Sequence, residues 1–212
     1  MIDKTVSQIK YKTVRPPVLY VGTPVILMTT CNEDSTANIS SMSSAWALFD
    51  RFVCGVASAS QCHENILREM ECVINFPSAS LWSSVEKIGR STGRKPVPSY
   101  KVKIGYEYVK DKFEQSGLTP IPSETVKPPR IDECPIQIEG KVVATHGPGG
   151  KWPAKRPDTF SIIEIRVTKI HAHEDIVIPG SDYIDTSRWQ PLLYVFRHYF
   201  GTGEELGRTF KA

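Results

Sequence analysis

Two long runs alternate apolar and polar residues with a period of two, Ile136 to Ala144 and Phe160 to His173. A chain with this pattern lays both runs down as strands of one sheet, because only a pleated strand sends successive side chains to opposite faces. The runs are separated by a loop rich in Gly, Pro and Lys, from Thr145 to Asp158, so antiparallel pairing is expected. The other strand candidates are short. Pro24 to Thr30 is apolar and β-branched and ends in the polar tetrad Asn32-Glu33-Asp34-Ser35, which predicts a turn and a return strand. Arg51 to Ala57 and Cys72 to Phe76 add two more buried strands.

Between the strands, Ser58-Ala59-Ser60 offers a serine cap to a helix over Gln61 to Met70. A second helix follows Pro77-Ser78, with Leu81, Val85 and Ile88 on one face and Gly89 as its stop. Tyr106 to Gln115 reads as a third helix closed by Ser116-Gly117. Leu118 to Pro135 is rich in proline and predicts an extended crossing with little regular structure. In the tail, Leu192, Leu193, Phe196 and Tyr199 fall near helical spacing, although Pro191 favours an irregular start equally. Many short strands with two or three peripheral helices make a mostly β (α+β) domain, and regular strand spacing favours a barrel.

Composition removes several function classes. The 212 residues suit one domain, here bounded at residues 15–200, with 1–14 as an N-terminal extension and 201–212 as a tail. The 26 Lys and Arg residues are spread among 23 acidic ones, so no nucleic-acid partner is expected, and Lys151 to Arg156 reads as a solvated loop. Five cysteines without a C-x-x-C pair argue against both a disulfide framework and a zinc site, and predict reduced, mostly buried thiols. No membrane-length apolar run and no secretory pattern is present, so the expected location is cytoplasmic. Nucleophile-elbow, phosphate-loop, HExxH and Rossmann glycine patterns are all absent, and no catalytic side chain is assigned.

What remains is a stretch of unusual composition, Asn38-Ile39-Ser40-Ser41-Met42-Ser43-Ser44-Ala45-Trp46. Small hydroxyl and amide side chains let the backbone approach a planar heterocycle with several acceptors, while the indole offers a stacking face; a plain serine-rich surface loop has the same composition. Ser58 and Ser60 precede a helix, where unpaired N–H groups and the positive end of the dipole form a phosphate cradle or merely a cap. Lys112 lies in Asp111-Lys112-Phe113, which by itself reads first as a solvated lysine beside a core phenylalanine. His171 and His173 share a strand face without a third ligand nearby, so no metal is assigned.

In order along the chain, Pro24 to Thr30, Ala37 to Trp46, His63-Glu64-Asn65-Ile66, Val73 to Ser78, Asp111 to Thr119, Pro128 to Pro135, Ile138 to Val142 and Trp189 to Leu192 resemble the flavin reductase-like family, in its flavoredoxin-like branch. The resemblance implies an FMN-binding split β-barrel of Greek-key topology, working as a homodimer with FMN near the subunit interface. It places Asn38, Ser40, Ser41, Met42 and Ser43 along the isoalloxazine and ribityl chain. Ser58, Ser60 and Asn65 fall near the phosphate, Lys112 is its counter-charge, and Trp46 neighbours the ring from across the dimer. The implied activity is hydride transfer from NADH or NADPH to FMN, with a flavin-dependent monooxygenase or a redox protein as recipient. The alternatives are a flavoredoxin-like electron carrier reduced by a protein partner, and a non-enzymatic flavin or haem binder. One departure bears on this choice: Arg156-Pro157-Asp158 stands where many members carry a histidine associated with the nicotinamide.

Overall fold

A computed structural model describes residues 9–147 and 159–209. Seven strands form one antiparallel sheet: β1 (Ile26–Cys31), β2 (Ala37–Met42), β3 (Ala45–Leu48), β4 (Arg51–Ala57), β5 (Glu71–Phe76), β6 (Ile136–His146) and β7 (Phe160–Ala172). Their spatial order is β2-β1-β5-β6-β7-β4-β3. The two edges, β2 and β3, are consecutive in the chain and joined by Ser43 and Ser44 alone. A flat sheet of seven strands is about 29 Å wide, whereas the three backbone steps from Met42 to Ala45 reach about 11 Å at most. The sheet therefore curls until its edges meet, as a split barrel does.

The curl creates two cores. Along β1 the buried Ile26 and Met28 face the cluster that includes Phe52, Ile74, Ile163 and Ile165, while the buried Leu27 joins Ile39, Val85, Ile88 and Phe113 outside the sheet. Both faces are covered, so β1 is buried continuously from Ile26 to Thr30 rather than at alternate residues. The long pair β6 and β7 runs in register from Ile136 opposite Ala172 to His146 opposite Ile162, with bulges at Glu139/Gly140 and Val142/Ala144. At the first bulge, a Cβ on Gly140 would lie 2.4 Å from Ile165 Cγ2, so the two strands approach closely only because this residue has no side chain.

Helix α1 (Gln61–Glu69) starts as expected: Ser60 Oγ accepts a hydrogen bond from His63 N at 3.1 Å. Its Cys62 and Ile66 close one end of the barrel core. After a 3₁₀ turn at Ala79–Leu81, α2 (Trp82–Lys87) sets Leu81, Val85 and Ile88 against the second core. Two five-residue helices follow, α3 (Ser99–Lys103) and α4 (Lys112–Ser116), making four among the described residues where two or three were expected.

Two expectations are corrected. The third helix does not begin at Tyr106, because Glu107 N and Val109 N donate to Arg90 O and Thr92 O in a short parallel pairing with Ser91–Thr92. It begins only where Asp111 caps it, accepting from Glu114 N at 2.9 Å. The tail is not helical: Leu193–Val195 pairs with both Val21–Pro24 and His198–Phe200. Phe196 and Arg197, at φ 44° and 74°, make the tight turn whose twist matches a hairpin.

The crossing from Leu118 to Pro135 forms only the two-residue pairing of Pro120–Ile121 with Arg130–Ile131. It is fastened by buried polar groups. Asn75 Oδ1 accepts from Ile131 N at 2.9 Å, and the fully buried Glu139 carboxylate accepts from Glu124 N, Thr125 N and Thr125 Oγ1. Burial raises the pKa of Glu139, but these bonds together with His171 hold it down to about 2. Four of the five thiols are buried and none is paired, as the cysteine spacing implied.

Candidate functional site

Where the curled sheet closes, β2 meets β4 incompletely. Ser44 completes the seam near β3, with Gly55 N donating to Ser44 O at 2.8 Å and Ser44 Oγ donating to Gly55 O at 2.7 Å. Beyond that point Val56 and Ala57 diverge from Ser40 to Met42 and leave a groove of about 600 Å³. The segments that overhang it supply Lys101 from α3, Tyr106, and Lys112 from α4. Of the residues singled out from the sequence, Ser40, Ser41, Met42, Ser60 and Lys112 line this groove.

Lys112 has the least ordinary setting. Its side chain is buried at 3% exposure, and Nζ donates to Asn38 Oδ1 at 2.9 Å and to Ile39 O at 2.8 Å. Among the described residues no carboxylate pairs with it; both acceptors are neutral. Burial lowers its pKa to about 8; Cys62 opposes this and Lys101 adds to it. Lys101 is itself lowered, first by burial and then by Arg94. One end of the groove therefore carries positive potential that no described carboxylate pairs with.

Asn38 lies behind the groove wall, buried, with Oδ1 committed to Lys112 and Nδ2 near Thr30 Oγ1 and Ser40 Oγ. A Cβ on Gly93 would sit 2.6 Å from that same Oδ1. Asn38 thus holds the lysine in place from a position that itself depends on Gly93.

The remaining residues singled out from the sequence lie elsewhere in the chain. Asn65 is buried between α1 and β1, where its amide bonds Thr30 Oγ1, Asn32 Oδ1 and Gln61 Nε2. Ser58 N donates to Thr159 O beside the groove without lining it. Ser43 is buried in the β2–β3 connection, and Trp46 stands 57% exposed on β3 against Leu19, Val53 and Ile162. The histidine-replacing Asp158 lies outside the described residues.

Sequence reasoning missed Lys101, Tyr106 and Tyr20. No local pattern marks them, since their place on the groove is set by how the segments around them fold over the sheet. Among the described residues no group of His, Cys, Asp and Glu could hold a metal, and no helix is long and apolar enough to cross a membrane.

Comparison with known proteins gives concordant results. The chain is 44% identical over 203 residues to the uncharacterized protein YdfE of Bacillus subtilis (strain 168), covering 96% of this chain and 95% of that one. Among solved structures, flavoredoxin of Desulfovibrio vulgaris (Miyazaki F) superposes with a TM-score of 0.75 at 22% identity, covering 96% and 99% of the two chains. Nitrilotriacetate monooxygenase component B from Bacillus cereus superposes at 0.71 and 17% identity, covering 91% and 89%. At these identities the structures establish a shared fold. The family model for the flavin reductase like domain matches residues 19–203, which include every element that walls the groove, and on that match the chain belongs to the flavin reductase-like family.

Proposed function

We propose that the groove binds FMN and that the chain is an NAD(P)H-dependent flavin reductase. The observation that carries this reading is Lys112, a buried ammonium with only neutral partners on the wall of a groove of about 600 Å³. An ammonium so placed gains most from an anion that reaches it, and a phosphate monoester brings two charges and several acceptors. The donors around it fit that group. Ser60 Oγ caps α1 while its O–H meets no acceptor among the described residues, and the first-turn N–H groups of α1 have no intrahelical acceptor. Ser40 and Ser41 offer hydroxyls along β2, and Met42 an apolar surface for the ring system.

In this reading Asn38 orients Lys112, Lys112 and Ser60 hold the phosphate, and Ser40 to Met42 position the ring and its ribityl chain. Asn65 and Ser58 support the start of α1 from behind. A bound flavin supplies the hydride and electron chemistry, so no catalytic acid is required of the chain. The open side of the groove leaves room for a nicotinamide without a Rossmann domain. The exposed Trp46 and Phe49, at 57% and 96%, suit burial by a second copy, which would bring Trp46 toward the partner's groove. Sedimentation as a monomer at micromolar concentration would count against that homodimer.

A flavoredoxin-like electron carrier is the second reading. Arg156-Pro157-Asp158 in place of the histidine favours it, as does the superposition with the flavoredoxins of Desulfovibrio vulgaris and Methanosarcina acetivorans at TM-scores of 0.75 and 0.74. The component B likeness instead suits a flavin-dependent monooxygenase as recipient. Anaerobic addition of NADH and then NADPH to the FMN-loaded protein separates the two: bleaching within seconds is expected for the reductase. A flavin that stays oxidised with both and is reduced by dithionite establishes the carrier, and a protein that never takes up FMN refutes both.

A further inference from the structure

Beside the groove lies a second chamber of about 390 Å³. It shares Tyr20, Ser41, Met42, Gly89 and Tyr106 with the groove, so a molecule held in it touches whatever lies along Ser41 and Met42. Its far walls are Tyr194, Tyr199, Glu86 and Arg90.

The polar inventory of this chamber is lopsided. Tyr199 Oη donates to Glu86 Oε2 at 3.1 Å, so the chamber's carboxylate already has a donor and that ring is fixed. Tyr194 packs edge-on and tilted against its neighbours, with ring centroids 5.5 Å from both Tyr20 and Tyr199. The hydroxyls of Tyr20, Tyr106 and Tyr194 make no side-chain hydrogen bond among the described residues, and neither does the Arg90 guanidinium. Flat aromatic walls with three free hydroxyls and a planar cation select a planar ring carrying acceptor oxygens. The Glu86 carboxylate is already engaged by Tyr199, whereas Arg90 has no acceptor for its guanidinium among the described residues.

We infer that this chamber is a binding site for an aromatic carboxylate, its ring against the tyrosine wall and its carboxylate on Arg90. The inference rests on the flavin reading only in that the ring then lies against the flavin; the chamber itself is formed by the chain alone.

The test is calorimetric titration of benzoate into the protein with and without FMN, beside cyclohexanecarboxylate, which has the same charge without the flat ring. Saturable benzoate binding is expected, weakened about 10- to 100-fold by Arg90→Ala, the range for a charge-assisted hydrogen bond, and partly recovered in Arg90→Lys. Tyr106→Phe tests the hydroxyl side with less risk to folding. The inference is overturned if benzoate fails to saturate, if cyclohexanecarboxylate binds as tightly, or if Arg90→Ala leaves benzoate binding unchanged. FMN uptake, read separately from the flavin absorbance of the same samples, reports on the groove. A protein that binds benzoate but not FMN therefore sinks the flavin reading and leaves the chamber standing.

Discussion

Replacing Lys112 by Met should change how stability and flavin affinity respond to pH in a way that replacing an exposed lysine would not. In the flavin-free fold the pKa of Lys112 is about 8 against an ordinary 10.5, so burial disfavours the ammonium by about 3 kcal/mol. Because the folded pKa is depressed, the unfolded chain binds more protons between the two values, and stability rises with pH through that window. From pH 7 to pH 9 the gain from this one group is about 1 kcal/mol, or roughly 2–4 °C in Tm for a chain of this size. Wild-type protein alone will not display it. Burial pushes the thiols of Cys54, Cys62, Cys72 and Cys134 upward, and each costs a few tenths of a kcal/mol at pH 9 as its unfolded counterpart ionises.

Those thiols are common to both proteins, so the difference between wild type and Lys112→Met isolates the lysine. Urea denaturation of both flavin-free proteins at pH 7 and pH 9, with reductant present, should show the wild type gaining about 1 kcal/mol relative to the variant. In the same window only about a tenth of the wild-type lysine remains charged at pH 9, so FMN affinity should fall about tenfold while riboflavin affinity does not. Equal pH responses of the two proteins, or an FMN affinity that is flat with pH, would refute a buried, unpaired ammonium as the phosphate's partner.

Two further outcomes follow from close contacts in the structure. Gly93→Ala drives a methyl to within 2.6 Å of Asn38 Oδ1; displacing that acceptor of Lys112 should weaken FMN binding by about tenfold, the worth of one hydrogen bond to a charged group, with little change in the far-ultraviolet spectrum. Glu139 has a folded pKa of about 2 against 4.5 unfolded, so it contributes about 3 kcal/mol above pH 5 that is lost as the pH falls toward 2. Glu139→Gln should flatten the acid limb of the stability curve, and an unchanged limb would remove Glu139 as the anchor of the Leu118–Pro135 crossing.

Much of the sheet is legible in the sequence because its signals are local. The alternation of Ile136 to Ala144 and Phe160 to His173, the Ser60 cap and the Leu81, Val85, Ile88 stripe each report a burial face through spacing alone. Serine-rich Asn38 to Trp46 could be singled out as unusual, yet its residues divide: Ser40 to Met42 face the groove, Asn38 stands behind it, and Trp46 points away. That division follows from where β2 parts from β4 and from what folds over the gap, neither of which is written locally. The tail's spacing misled for a similar reason, since Phe196 and Arg197 turn left-handed once a strand at Val21–Pro24 is there to pair with.

What the amino-acid order settles alone is an antiparallel β-domain with unpaired thiols and one serine-bearing segment of unusual composition, because side-chain period and turn chemistry act over a few residues. It took the folded chain to bury Lys112 against Asn38, 74 positions away, with no counter-charge among the described residues, and to gather Tyr20, Tyr106, Tyr194 and Tyr199 around one chamber. The physical reason is desolvation: the chemistry of an ammonium or a phenol is set by what excludes water from it, and here that is chain brought in from far along the sequence.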